Sequence, residues 1–124
     1  MSTMKLKDAA SDLAYEALQQ GRPGIYCLYG PPESGKTTLL REMVKARFVF
    51  DEGCFLRALF SQDVKVIAYD EGWCVHLRRL LRLYRDCRDD GRVMKPFVFT
   101  GGRRPFPKML AAGDVLCIEL EKGQ

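Results

Sequence analysis

The sequence predicts an α/β fold with a mostly parallel central sheet flanked by helices in three layers. Four short apolar segments rich in β-formers alternate with stretches of helical periodicity. Each segment is a nearly continuous hydrophobic run, which is typical of parallel strands that are covered on both faces. The four predicted strands are IYCLY at 25–29, VKVIAY at 64–69, PFVFT at 96–100 and VLCIEL at 115–120.

Length and composition predict one domain over residues 1–124, with an N-terminal helix in 1–21 and a core in 22–121. The chain has 124 residues, of which 47% are hydrophobic and 29% charged. These values are typical of a globular protein and leave no room for a second domain, which excludes a two-domain helicase or a kinase with separate lobes. No apolar run approaches the roughly 20 residues of a membrane span, and the N-terminus lacks the apolar part of a signal peptide. We therefore expect an intracellular protein without a membrane partner.

Helical periodicity is clear in two places before the second predicted strand. Apolar residues recur every three or four positions in 3–20, and Gly21 is a natural end for that helix. A second helix is predicted over 37–47. The segment 48–59 is ambiguous, and we interpret it as a short strand followed by a turn at 51–53.

A third helix, over 73–88, separates apolar from basic residues. Its inward stripe is predicted to be Leu77, Leu80, Leu81, Tyr84 and Cys87, and its outer face Arg78, Arg82, Arg85 and Arg88. The surrounding segment 72–108 carries a net charge of +7, whereas the whole chain carries +4. A local positive field attracts polyanions, of which nucleic acid is the commonest, although a solvated surface would have the same composition.

The sequence GPPESGKT at 30–37 matches G-x-x-x-x-G-K-[ST], the phosphate-binding P-loop. It directly follows a predicted strand and directly precedes a predicted helix, where main-chain amides and a helix N-terminus can surround an anion. Lys36 can reach the β- and γ-phosphates, and Thr37 can ligate Mg²⁺. The alternative is a Gly/Pro turn before Lys-Thr. The predicted nucleotide-binding residues are Gly30, Pro31, Pro32, Glu33, Ser34, Gly35, Lys36, Thr37 and Thr38.

Two carboxylates follow the strand VKVIAY in the pattern of a Walker B motif. Asp70 at the end of that strand can hold the Mg²⁺ ion with its waters. Glu71 can orient or deprotonate the attacking water. The predicted cofactors are therefore ATP and Mg²⁺, with Thr37 and Asp70 as metal ligands. An acidic turn after an edge strand is the alternative.

Two further residues are candidates for catalysis. Thr100 ends the strand PFVFT, and its hydroxyl could touch the γ-phosphate or the lytic water as a sensor. Arg103, which is followed by Arg104, could act as an arginine finger across a subunit boundary. These arginines could equally hold a nucleic-acid phosphate or remain solvated.

Four segments carry a resemblance to a known family: GIYCLYGPPESGKTTLL, VKVIAYDEG, PFVFTGG and DVLCIEL. Together, over about residues 22–121, they resemble the ATPase core of superfamily 3 helicases, the viral replication helicases. The resemblance implies an AAA+-like P-loop NTPase sheet with the P-loop strand central. It also implies ATP-driven translocation on DNA by a homo-oligomeric ring, in the cytoplasm or nucleus of a host cell. Lys36 and Thr37 would be the phosphate and Mg²⁺ residues, and Asp70 and Glu71 the Walker B acids.

The sequence departs from that family at two places. The third motif of the family ends in Asn, whereas this chain has Gly102 there and contains no Asn. Only 28 residues separate Glu71 from Thr100, so the DNA-binding hairpin of the family is shortened or absent. Two other functions fit the same motifs: a viral DNA-packaging or transport ATPase, and a nucleotide-binding regulatory module without turnover.

Overall fold

The structure, a computed structural model, describes Leu6 and residues 8–31, 36–42, 46–70, 75–92, 95–101 and 114–121. Helices and strands alternate along these residues, except that the last two described elements are both strands. The helices are α1 (Ala9–Gln19), α2 (Lys36–Glu42), α3 (Glu52–Phe60) and α4 (Val75–Asp89). The strands are β1 (Gly24–Tyr29), β2 (Ala46–Phe48), β3 (Val66–Tyr69), β4 (Pro96–Gly101) and β5 (Val115–Glu119).

The five strands form one sheet in the order β2-β3-β4-β1-β5, and every neighbouring pair is parallel. The predicted α/β fold with a parallel sheet is therefore confirmed, and all four predicted strands are present within two residues of the predicted bounds. Strand β1 is an interior strand between β4 and β5, and β4 separates β1 from β3. This order brings the ends of β1, β3 and β4 side by side at one edge of the sheet.

Helices cover both faces of the sheet, so two separate cores are buried. Side chains of α3 and α4 pack on one face, which we call the α4 face, around Phe97 and Phe99 of β4. Side chains of α1 and α2 pack on the opposite face, the α2 face, around Val98 of the same strand. Every residue of β4 is buried, as expected for a parallel strand covered on both sides. The inward stripe predicted for the third helix is also buried: Leu77, Leu80, Leu81, Tyr84 and Cys87.

The first helix begins at Ala9, and the prediction that it spans 3–20 was wrong at its start. Asp8 is the N-cap, and its side chain accepts a hydrogen bond from the Ser11 amide at 2.8 Å. That bond satisfies one of the amides that have no partner in the first turn of a helix. Leu6 instead forms an antiparallel bridge with Leu120, beyond the end of β5.

The prediction of a helix over 37–47 was wrong at its end, because Ala46–Phe48 form strand β2 at the edge of the sheet. Residues 43–45 lie outside the described residues. The predicted turn at 51–53 is the start of α3, where Asp51 caps the helix by accepting from the Cys54 amide at 2.8 Å. An Asp that could begin a turn and an Asp that caps a helix look alike in sequence.

The buried Tyr84 hydroxyl joins the amino-terminal ends of β1 and β4. It accepts a hydrogen bond from the Gly24 amide at 2.8 Å and donates to the Lys95 carbonyl at 2.6 Å. Burial raises the pKa of Tyr84 to about 12, so the hydroxyl keeps its proton. In the part of the chain that the structure describes, no helix has the length and apolarity to cross a membrane.

Candidate functional site

The candidate site lies where the carboxyl ends of β1, β3 and β4 meet. The parallel register pairs Tyr29 of β1 with Gly101 of β4, and Tyr69 of β3 with Phe99. Asp70 directly follows Tyr69, so the register brings it level with Thr100, the residue after Phe99. The chain leaves β1 through the buried Gly30, whose amide donates to the Gly101 carbonyl at 3.4 Å. The predicted loop, the predicted Mg²⁺ ligand and the predicted sensor thus start from neighbouring strands.

A hydrogen bond joins two of the predicted site residues directly. The Thr100 hydroxyl donates to Oδ1 of Asp70 at 2.8 Å. Thr100 is 2% exposed, whereas Asp70 is half-buried at the rim of the sheet. Thr100 lies two residues after Val98, and Asp70 two residues after Ala68, both of which pack on the α2 face. The pair therefore points to the side of the sheet where α2 follows the loop.

The direction of this hydrogen bond narrows what Thr100 can do. A hydroxyl has one proton, and an ionised carboxylate can only accept. While Thr100 donates to Asp70, its hydroxyl cannot donate to a phosphate, and it could act on a water only as an acceptor. The arrangement suits a residue that fixes the orientation of the Asp70 carboxylate.

Parts of the predicted loop lie inside the described residues. Pro31 is half-buried, and Thr38 is exposed on α2. Lys36 and Thr37 are the first two residues of α2, so the motif does bridge a strand and a helix. The side chains of Lys36 and Thr37 lie outside the described residues. So do the remaining predicted site residues, which are Pro32, Glu33, Ser34, Gly35, Glu71 and Arg103.

Asp70 is the described residue best suited to a magnesium ion. Its carboxylate is a hard oxygen ligand, which Mg²⁺ prefers, and Thr100 holds it in one orientation. Within the described ranges no three His, Cys, Asp or Glu side chains form a group that could hold a metal. A magnesium ion at this position would therefore depend on one described carboxylate, with phosphate and water oxygens completing its shell.

The structure adds a contact at this edge that the sequence analysis missed. The Tyr29 hydroxyl donates to Oε1 of Glu119 at 2.8 Å, which joins β1 to β5 beside the start of the loop. The Glu119 amide in turn donates to the Ser11 hydroxyl of α1 at 2.9 Å. Tyr29 and Glu119 are 90 positions apart and meet only through the register of β1 with β5, so no local pattern could have indicated the contact.

The basic segment 72–108 is less available to a polyanion than its composition suggests. Arg85 and Arg88, predicted on the outer face of the helix, both bind Asp114, which lies outside that segment. Arg85 donates two hydrogen bonds, at 2.7 and 2.9 Å, and Arg88 donates one at 3.0 Å. These two arginines are half-buried and fix the start of β5 to α4. Arg85 and Arg88 lie outside the buried stripe, as predicted, but Asp114 engages their charges.

Lys95 is also engaged inside the protein. Its ammonium group donates to the Ala58 carbonyl at 2.7 Å and to the Ser61 carbonyl, at the C-terminal end of α3. Each of these carbonyls also accepts a longer backbone hydrogen bond at 3.4 Å, from the Ser61 and Val64 amides respectively. A cation at the C-terminal end of a helix is favoured by the helix dipole. On α4 the exposed cations are Arg78, Arg79 and Arg82.

We predict that Thr100 and Asp70 are energetically coupled. Replacing Thr100 by Val keeps the shape of the side chain but removes the donor, which should lower the free energy of unfolding by about 1.5–3 kcal/mol. In a double-mutant cycle, Thr100→Val and Asp70→Asn should show a coupling energy of about 1 kcal/mol in urea denaturation. Thr38→Val, at the exposed threonine of α2, is the matched control and should change stability little. Additive effects of the two substitutions would contradict the coupling.

We also predict that the Asp114 contacts weaken in acid. The hydrogen bond from Arg85 is the main cause that lowers the pKa of Asp114 below its ordinary value of 3.8, and Arg88 adds to it. A lowered pKa means that the carboxylate stabilises the folded state fully above that value and loses this effect as the pH falls through the folded pKa. Asp114→Asn should therefore cost about 1 kcal/mol near neutral pH, and the difference from wild type should shrink below about pH 4.

Urea denaturation of both proteins from about pH 7 to about pH 3 measures this difference. Asp86→Asn, at an exposed aspartate on α4, is the control and should show no comparable dependence on pH. A difference between Asp114→Asn and wild type that stays constant down to about pH 3 would show that the ion pairs do not carry the effect.

A scan against protein-family models finds no match to this chain, and a search of curated proteins finds no match either. What can be inferred about function therefore depends on the motif residues and on the contacts just described.

Proposed function

We propose that this chain is an ATP-binding P-loop protein that hydrolyses ATP with Mg²⁺ and acts on nucleic acid inside the cell as a homo-oligomer, as viral replication helicases do. The hydrogen bond from Thr100 to Asp70 is the observation that carries the proposal. It holds a carboxylate at the carboxyl edge of the sheet, on the side of α2, at the end of β3, which β4 separates from the strand that leads into the sequence GPPESGKT. Ligands of parallel α/β sheets bind at this edge.

The topology of the sheet supports the AAA+-like arrangement that the resemblance implies. Strand β1 is interior, and β4 lies between it and β3. In this order the loop after β1, the hydroxyl of Thr100 and the carboxylate of Asp70 lie at the carboxyl ends of three adjacent strands. An acidic turn after an edge strand, the alternative for Asp70, is less suitable, because β3 has β2 and β4 on its two sides.

Each residue has a separate part in the proposed reaction. The amides of the loop and the ammonium group of Lys36 bind the phosphates and offset their charge. Asp70, oriented by Thr100, would hold a Mg²⁺ ion together with Thr37, and a bound ion would supply positive charge beside the phosphate oxygens. Glu71 accepts a proton from the attacking water or orients it in line with the γ-phosphate. Arg103 supplies a positive charge from a neighbouring copy.

The first experiment compares nucleotide binding and turnover in matched variants. Lys36→Ala removes a charged hydrogen-bond donor worth about 1.5–3 kcal/mol, so calorimetry should show ATP affinity reduced by about 10- to 100-fold. Glu71→Gln should retain ATP affinity while phosphate release stops. Lys65→Ala, at an exposed lysine beside the opposite end of β3, is the control and should match wild type in both assays.

Phosphate release with single-stranded DNA, double-stranded DNA or RNA present separates the possible functions. ATP turnover that is stimulated by DNA and accompanied by strand separation supports the helicase. ATP turnover that is stimulated by DNA without strand separation supports a packaging or transport ATPase. ATP affinity without turnover under any condition supports the regulatory module. Wild-type protein that binds no ATP in the presence of Mg²⁺ would contradict the proposal altogether.

The exposed arginines of α4 favour nucleic acid as the partner. Arg78, Arg79 and Arg82 lie within two helical turns, and neighbouring Arg85 is held by Asp114. Guanidinium groups bind phosphate through paired hydrogen bonds, without regard to base sequence. The proposed contact is therefore a narrow patch on the amino-terminal half of α4, to which Arg103 and Arg104 could add from the segment 102–113.

We predict that Arg78→Ala/Arg82→Ala weakens DNA binding in a salt-dependent way. Each lost phosphate contact should lower the slope of log affinity against log salt concentration by about 0.9 for duplex DNA. Fluorescence anisotropy at several salt concentrations measures both affinity and slope. The control is Arg22→Ala/Lys65→Ala, which removes two exposed cations elsewhere. An equal loss in both double variants would show that α4 is not the contact surface.

A further inference from the structure

Helix α3 exposes an apolar face next to a buried one. Phe55, Ala58 and Leu59 pack into the core, whereas Phe60 is 61% exposed and Leu56 is 38% exposed. Phe50, just before the N-cap of α3, is 69% exposed. Three of the five large hydrophobic side chains that are exposed among the described residues therefore lie on or beside this helix, the others being Leu13 and Leu116.

The exposed residues of α3 have the spacing of a coiled-coil seam. They are Glu52, Gly53, Leu56, Arg57 and Phe60, and all other residues of the helix are buried or half-buried. In a heptad they occupy positions g, a, d, e and a, so Gly53, Leu56 and Phe60 form a single a/d stripe. Gly53 has no side chain at the first a position and lets another helix approach closely. We call these five residues the α3 seam.

The charges at the borders of the seam are complementary to those of a second copy. Glu52 and Arg57 border the a/d stripe on opposite sides, five positions apart. In a parallel pair of helices, residue g of one helix meets the e residue five positions later on the other helix. Glu52 of one copy then meets Arg57 of the second, and the contact occurs twice. An antiparallel pair would instead place each border against itself and bring like charges together.

The position of Arg57 agrees with this pairing. Side chains on α-helices commonly lean toward the N-terminal end of the helix, and Arg57 carries its charge on a long side chain. That is the direction in which a residue at position e must extend to reach a glutamate five positions earlier on the neighbouring helix.

We infer that the α3 seam is a self-association surface through which two copies of this chain pair their α3 helices in parallel about a two-fold axis. The same patch meets itself, as in an isologous dimer. Two nine-residue helices form a contact smaller than the ~1,200 Å² of a standard interface, so the dimer should be weak and form at micromolar concentrations. The inference does not depend on the proposed ATPase activity, because the seam contains none of the proposed nucleotide-binding residues.

Sedimentation equilibrium of the full chain over about 1–500 µM, without nucleotide, tests the pairing at the concentrations expected for a small interface. Wild type should change from monomer to dimer across this range. Leu56→Glu places a charge in the seam and should weaken the dimer at least about tenfold, which corresponds to about 1.4 kcal/mol. Leu13→Glu is the matched control, at a leucine of α1 that is 69% exposed, and should leave the dimer unchanged.

Charge reversal then tests the parallel orientation. Glu52→Arg and Arg57→Glu should each weaken the dimer, because each places like charges opposite one another in both contacts. The double variant Glu52→Arg/Arg57→Glu should restore the wild-type dissociation constant to within about twofold, since opposite charges face each other again. Circular dichroism and urea midpoints of all variants show whether the monomer remains folded.

Three results would overturn the inference. Wild type could remain monomeric over the whole range, or Leu13→Glu could disrupt association as much as Leu56→Glu. A folded double charge variant that associates no better than either single variant would exclude the parallel pairing. Each result can be read without any nucleotide or nucleic acid, so it is separate from a failure of the ATPase assays.

Discussion

The parallel register of β3, β4 and β1 is the constraint on which the candidate site depends. Because Tyr69 pairs with Phe99 and Tyr29 with Gly101, the next residues along these strands reach the same edge at the same height. A shift of one residue would turn Thr100 or Asp70 to the α4 face and break the 2.8 Å hydrogen bond between them. Alternating residues of β4 are buried in two different cores, and this burial fixes the register of the strand. The packing of the core therefore also determines the geometry of the site.

Sequence reasoning succeeded where a single local pattern determines the structure. Nearly continuous apolar runs predicted β1, β3, β4 and β5, and the amphipathic periodicity of α4 predicted which residues it buries. A short strand was predicted within 48–59, but the edge strand β2 lies earlier, at Ala46–Phe48, because three residues with little burial carry no distinct pattern. The start of α1 was misplaced, and α3 was interpreted as a strand and a turn, so the prediction for 48–59 was wrong. An aspartate cap, such as Asp8 or Asp51, satisfies amides at the start of a helix without any apolar periodicity.

The site was predictable as a set of residue types but not as a set of contacts. The motifs indicated Asp70 and Thr100 separately, whereas the bond between them, and that between Tyr29 and Glu119, needs the strand order. Charge counting over 72–108 had a similar limit. It treated every cation as equal, yet Arg85 and Arg88 neutralise an aspartate from outside the segment, and Lys95 binds carbonyls of α3. The net charge of a segment describes its exposed surface only when the charges that form ion pairs inside the protein are left out of the count.

The two ends of the described chain are joined at β5, and this affects the order in which the protein can assemble. Leu6 bridges to Leu120, and Ser11 accepts a hydrogen bond from the Glu119 amide, 108 positions away. During synthesis α1 leaves the ribosome long before β5. Until β5 is made, Ala14 and Leu18 of α1 are therefore uncovered on the side that packs against this last strand. Closing so long a loop is slow, which makes the docking of α1 on β5 a late step of folding.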